Sequence, residues 1–181
     1  MQPNKARADL WMDLALMAFL IGFDVAARLL PHAPGFMPVA ASALFAGRML
    51  RIPALAVIVP LVAMGLSTLA MAPEDWRVEL VVFAAISVPA IVGMLSRRYN
   101  GLVATAAMMV GCSLFFFAAS NFAVWVFGSM YSHDLAGLTQ CYVLALPFLE
   151  NTVAGDLFWS AVLFGGAWAI QNGAMLAGRA R

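Results

Sequence analysis

Leu102-Val-Ala-Thr-Ala-Ala-Met-Met-Val-Gly-Cys-Ser-Leu-Phe-Phe-Phe-Ala-Ala-Ser-Asn-Phe-Ala-Val-Trp-Val-Phe127 runs without a single charged side chain. A membrane-spanning helix needs roughly 20 apolar residues, and this stretch exceeds that. It lacks the alternation of a barrel strand, and in lipid only a helix or a closed barrel satisfies its own backbone groups. The stretch therefore reads as a transmembrane helix. The chain around it decides whether it stands alone.

It does not. Of the 181 residues, 64% are hydrophobic and 10% charged, with a mean hydropathy of +0.92. A soluble domain averages nearer 45–50% apolar and about 25% charged. Upstream, apolar segments run over about 10–30, 35–50, 53–71 and 78–95; downstream, one more runs over about 153–177. The connections carry turn chemistry: Pro31-His-Ala-Pro-Gly35, Arg51-Ile-Pro53, Ala72-Pro-Glu-Asp75 and Arg97-Arg-Tyr-Asn-Gly101. Pro60 and Pro89 fall inside segments and are expected to kink helices rather than end them. The expected architecture is all-α, one transmembrane domain over residues 1–181 with six membrane-spanning helices. Lys5 and Arg7 resemble the start of a signal peptide, but the following segment carries Asp13 and Asp24 and shows no clear cleavage site, so it is expected to be retained.

The charges test the division. With the N-terminus inside, Lys5, Arg7, Arg48, Arg51, Arg97, Arg98, Arg179 and Arg181 fall on one side. Only Arg28 and Arg77 fall on the other, together with Glu74, Asp75, Glu79, Asp134 and Glu150. Cytoplasmic loops hold excess Lys and Arg. The expectation is a multi-pass protein of the bacterial cytoplasmic (inner) membrane with both termini cytoplasmic. The link from Gly128 to Thr152 is only moderately polar and reads either as a lid or as an interfacial anchor.

Polar residues at the outer ends of the segments are the candidate ligand-binding groups: Asp24, Arg28, His32, Asn121, Trp125 and Asp156. Asp24 and Arg28, four apart, share a helix face, and ionisable residues at membrane depth face the bundle interior or water. Each also has a structural reading. Asp24 and Arg28 can pair to orient the helix end, Asn121 can bridge helices, Trp125 can anchor at the interface, and Asp156 can complement a helix dipole. His32, His133 and Cys141 match no metal motif, so no metal or cofactor is expected. Cys112 reads as packing. Small residues repeat every fourth position at Ala43/Gly47, Ala107/Gly111 and Gly165/Ala169/Gly173, a spacing that lets helices approach closely. No nucleophile-and-base arrangement, phosphate loop or HExxH motif appears, so an enzyme is not expected. The net charge of +1 leaves no nucleic-acid footprint.

Two stretches carry a resemblance: Arg28-Leu-Leu-Pro-His-Ala-Pro-Gly-Phe-Met-Pro-Val-Ala-Ala-Ser-Ala-Leu-Phe-Ala-Gly47, and Ser120-Asn-Phe-Ala-Val-Trp125 through Gly137-Leu-Thr-Gln-Cys-Tyr142 and Pro147-Phe148 to Gly155-Asp-Leu157 and Leu163-Phe-Gly165. They resemble a family of small bacterial membrane proteins of unassigned function. That family in turn is similar to the substrate-binding S components of energy-coupling factor (ECF) transporters. The resemblance implies a small solute, of the vitamin or micronutrient class, bound near the outer face. It also implies a transmembrane coupling protein with two ATPases as partner, docked through small residues usually on the first helix, where this chain offers only Ala15 and Ala18. The expected function is thus membrane transport or substrate binding for uptake; the alternative is a structural or assembly protein that binds other membrane subunits.

Overall fold

The computed structural model describes residues 3–70, 75–99 and 101–179, with side chains described from 4 to 173. Glu74, most of the Ala72–Asp75 link, Arg181 and the side chain of Arg179 lie outside the described residues. Among the described residues six helices follow one another: α1 (Pro3–Leu29), α2 (Val39–Met49), α3 (Pro53–Thr68), α4 (Trp76–Leu95), α5 (Leu102–Phe127) and α6 (Leu135–Arg179). Four of them, α1, α4, α5 and α6, are long and apolar enough to cross a membrane. Large apolar side chains point outward along the bundle, among them Trp11, Phe19, Leu102, Val103 and Ile170. In water such a surface would drive aggregation; against lipid it costs nothing.

The helix ends follow local chemistry. α5 keeps the bounds read from the sequence because Gly101 and Gly128 flank a run with nothing to break it. Asp75 caps α4, its carboxylate accepting from the Arg77 amide at 2.8 Å. Pro53 opens α3, where a missing N–H is harmless. Pro60 and Pro89 lie inside continuous helices.

Two expectations need correction. The segment expected at 35–50 is helical only from Val39 to Met49. At about 1.5 Å per residue, α2 is roughly 16 Å long, well short of the roughly 30 Å hydrocarbon core. The Pro-rich start cannot supply helical hydrogen bonds. The helix expected at 153–177 instead starts at Leu135 and runs through Pro147. Its start is set by Asp134, whose Oδ1 accepts from the Gly137 amide at 2.7 Å and whose carbonyl accepts from Leu138. The added turns lie along α5: the Tyr142 hydroxyl donates to the Ala118 carbonyl at 2.6 Å, and Cys141 is buried against the Asn121 carbonyl. Most of the Gly128–Thr152 stretch is therefore helix.

Short as it is, α2 is the centre of the bundle and touches every other helix. Eight of its residues are buried. It lies closest to α4, where Gly47 faces the Ala90 carbonyl and Gly93 faces the Leu44 carbonyl so tightly that a Cβ at either would collide with backbone. This is the close approach the Ala43/Gly47 spacing suggested. At one end of the bundle the basic residues gather. Arg51 pairs with Asp9, Asp13 accepts from the Arg51 and Ile52 amides, and Arg97 donates to the Gly47 and Leu50 carbonyls.

Candidate functional site

At the opposite end the chain between α1 and α2 makes a turn whose geometry is written in its sequence. Ala33-Pro34-Gly35-Phe36 closes with the Phe36 amide donating to the Ala33 carbonyl at 3.0 Å, and Gly35 sits at φ +83°. Proline before a left-handed glycine is the pattern of a type II turn. The turn is wedged against α6. A Cβ on Gly35 would fall 2.6 Å from Thr152 Oγ1, and one on Gly155 would fall 2.9 Å from the Phe36 Cα. Phe36 packs against Phe158 and Trp159, and Trp159 meets Phe23 of α1 edge-on. Val39, where α2 starts, packs with Ile86, ten positions into α4. The start of α2 therefore lies level with a point roughly 15 Å along α4, and the turn leads down to it. Irregular backbone at membrane depth is tolerated where it is buried in protein or lines a cavity.

Beneath this turn is a cavity of about 80 Å³. Every helix supplies part of its wall: Arg28 from α1, Ala40 from α2, Met64 from α3, Ile86 and Pro89 from α4, Cys112, Ser113 and Phe116 from α5, and Thr152 and Asp156 from α6. The wall is mostly apolar with a few converging polar groups, the usual character of a small-molecule site. Pro89 has no N–H to return to the Ala85 carbonyl, and both residues line the cavity.

Asp156 is 2% exposed and accepts from the Ser113 hydroxyl at 2.7 Å. It lies about six turns into α6, so the helix-dipole reading of this residue falls. Asp24 is 0% exposed; its Oδ1 accepts from the Ser42 hydroxyl at 2.7 Å, while Oδ2 has no hydrogen-bond partner. It meets α2 two residues from Ala40 of the cavity wall. Arg28 does not spend itself on Asp24 alone. Its Nε donates to Ser67 Oγ at 2.6 Å, and Nη1 approaches Met37 Sδ at 3.6 Å.

The other three candidates lie elsewhere. His32 is exposed, its Nδ1 2.6 Å from the Leu30 carbonyl. Asn121 donates to the Phe117 carbonyl of its own helix at 2.8 Å. Trp125 donates to the Ser132 carbonyl at 2.9 Å and stacks edge-on with His133, pinning the α5–α6 turn. The structure thus gathers Arg28 and Asp156 in one cavity and sets Asp24 beside it. Sequence reading missed Ser42, Ser113 and Ser67, the partners of all three; a serine inside an apolar helix is the only signal they leave.

A sequence profile of a family of unknown function, DUF6580, matches residues 8–177. The chain belongs to the DUF6580 family. The match takes in all the residues of the cavity, so the site is built within the DUF6580 region and not from an appended segment. No curated protein and no solved structure matches the chain. The expected membership of a family without assigned function is met, and nothing in these comparisons points to the ECF S components.

Proposed function

We propose that this chain is a six-span protein of the bacterial inner membrane that binds a small solute beneath the α1–α2 turn for uptake, in the manner of an S component. The observation that carries the reading is the cavity to which all six helices contribute, with Asp156, Ser113 and Arg28 on its wall. Buried ionisable groups at membrane depth are expensive and mark solute or ion pathways. A carboxylate and a guanidinium on one small wall suit a solute with a donor at one end and an acceptor at the other. The basic end of the bundle is the cytoplasmic one in this reading, which puts the cavity toward the outside and both termini within. α2 and α3 complete their crossings with the irregular links beside them.

At about 80 Å³ the cavity is far below the roughly 300–1,000 Å³ of ligand pockets. It has room for a few waters, so a vitamin-sized solute enters only when the turn at Gly35 lifts. In this reading the turn lies down over the site. Leu44 and Met109, both fully buried, form a cluster with Cys112 of the cavity wall, and Leu157 packs against it; in this reading that cluster stands between the cavity and the basic end. Passage inward would then require this cluster to part, through a partner such as a coupling protein with ATPases or through motion of the bundle alone.

The test is thermal stability of the purified chain across a panel of vitamins and cobamides. At least one compound is expected to stabilise the protein, and Asp156→Asn and Arg28→Ala are expected to abolish that shift while remaining folded. A folded protein that no compound stabilises overturns the reading. The assembly alternative draws on α6, where Gly165 and Gly173 face open space; stoichiometric membrane partners retained without any solute would favour it.

A further inference from the structure

A second cavity, about 630 Å³, lies between α2, α5 and α6 toward the basic end. Its wall joins apolar and aromatic side chains, Leu157, Phe164 and Trp168 among them, to four polar ones, Arg48, Thr105, Ser160 and Gln171. Arg48 is held in place by neutral groups. Nη1 donates to Thr105 Oγ1 at 2.6 Å, Nε donates to Ser96 Oγ at 3.2 Å, and the guanidinium lies 5.2 Å from the centre of the Phe164 ring. Among the described residues no carboxylate stands within ion-pair distance of it. Ser160 is 5% exposed, and its hydroxyl has no hydrogen-bond partner. Ser67, Ser87 and Ser120, also within helices, donate to the carbonyl one turn back. A buried hydroxyl left unused is costly unless something else satisfies it.

We propose that this cavity binds an amphipathic anion. Its carboxylate or phosphate faces Arg48, its apolar body lies along Phe164 and Trp168, and Ser160 donates to an acceptor on it. The volume falls within the range of small-molecule sites, and a guanidinium held by Ser96, Thr105 and Met108 with no carboxylate of the described residues beside it attracts an anion through charge-assisted hydrogen bonds. Such an anion has two sources: an anionic phospholipid of the adjoining leaflet, or a water-soluble organic acid. The site is distinct from the cavity at Asp156 and does not depend on solute binding there.

The experiment uses the full chain in a neutral detergent, titrated with dihexanoylphosphatidylglycerol, with its zwitterionic phosphatidylcholine counterpart, and with naphthoate as a soluble aromatic acid. Binding is read from the fluorescence of Trp168, by difference from Trp168→Phe. At least one of the two anions is expected to bind, and phosphatidylcholine far less. Arg48→Gln is expected to weaken binding about tenfold or more, the loss of a charge-assisted hydrogen bond. Ser160→Ala removes only an unpartnered hydroxyl, keeps the fold, and is expected to weaken binding several-fold. Asp156→Asn is expected to leave it unchanged, which separates this site from the solute cavity. Binding by phosphatidylglycerol alone assigns the lipid, and binding by naphthoate alone assigns the soluble acid. The proposal is overturned if neither anion binds the folded protein, or if binding is indifferent to Ser160→Ala and to the headgroup charge.

Discussion

The Ser113 hydroxyl of α5 donates to Asp156 Oδ2 of α6 at 2.7 Å, 43 positions away along the chain and sealed from solvent. The same hydroxyl lies 2.9 Å from the Met109 carbonyl. One proton thus faces two acceptors, and the pair ties the cavity wall to the cluster at Met109. Asn at 156 keeps an acceptor and adds a donor for the Ser113 oxygen. Asp156→Asn is therefore expected to melt close to the wild type. Ser113→Ala leaves a buried carboxylate oxygen without its donor and is expected to cost about 1–3 kcal/mol, read from reversible unfolding in mixed micelles. Equal losses in the two variants would contradict this view of the pair.

Glycines divide by what a side chain would meet. Gly47→Val drives a Cβ into the Ala90 carbonyl and Gly93→Val into the Leu44 carbonyl, so each is expected to destabilise by about 1–3 kcal/mol or more. Gly111 and Gly165 face open space. Alanine there is expected to be neutral or slightly stabilising, by up to about 1 kcal/mol. Thermal melts of the four variants provide the check.

The turn over the cavity depends on Gly35. At φ +83° an alanine is strained, and its Cβ would meet Thr152 Oγ1. Gly35→Ala is expected to cost about 1–2 kcal/mol and to raise hydrogen exchange at the Phe36 and Met37 amides, which donate to the Ala33 and Gly35 carbonyls. Unchanged exchange would mean that the turn is not under this constraint.

These variants also show what the sequence made legible. The bounds of α5 could be read because nothing polar interrupts Leu102–Phe127 and glycine flanks it. The turn at Pro34-Gly35 could be read because those two residues fix its dihedrals. The start of α6 could not. Thr139, Gln140, Pro147 and Glu150 look like loop chemistry, and the hydrogen bonds that hold that stretch on α5, from Tyr142 and Cys141, are tertiary. Arg28 and Asp156 were legible as charges in greasy surroundings. Their serine partners were not, because only the fold decides which serine faces a carboxylate. In the sequence Arg48 is legible solely as a charge that orients the chain, and its place in a cavity follows from packing alone.

Asp134 offers a pH test outside the membrane-spanning segments. The Gly137 amide, and after it the Ser132 hydroxyl, hold its carboxyl below the ordinary carboxylate range. A depressed folded value means that the cap contributes fully above the ordinary pKa of roughly 3.9 and is lost as pH falls through the folded value. Asp134→Asn keeps a good cap without the charge. Its melting temperature is expected to lie below the wild type at pH 7, with the gap closing in acid. A gap that widens in acid would reverse the sign and refute the assignment.

The claim on which the function rests is that the turn above the cavity faces outward while the arginines face the cytosol. Labelling of intact cells with a membrane-impermeant maleimide tests it directly, with single cysteines placed at exposed His32 and exposed Arg98 in a chain whose Cys112 and Cys141 are replaced. His32→Cys is predicted to label in intact cells and Arg98→Cys only after lysis. Labelling of both in intact cells, or the reverse pattern, contradicts the account.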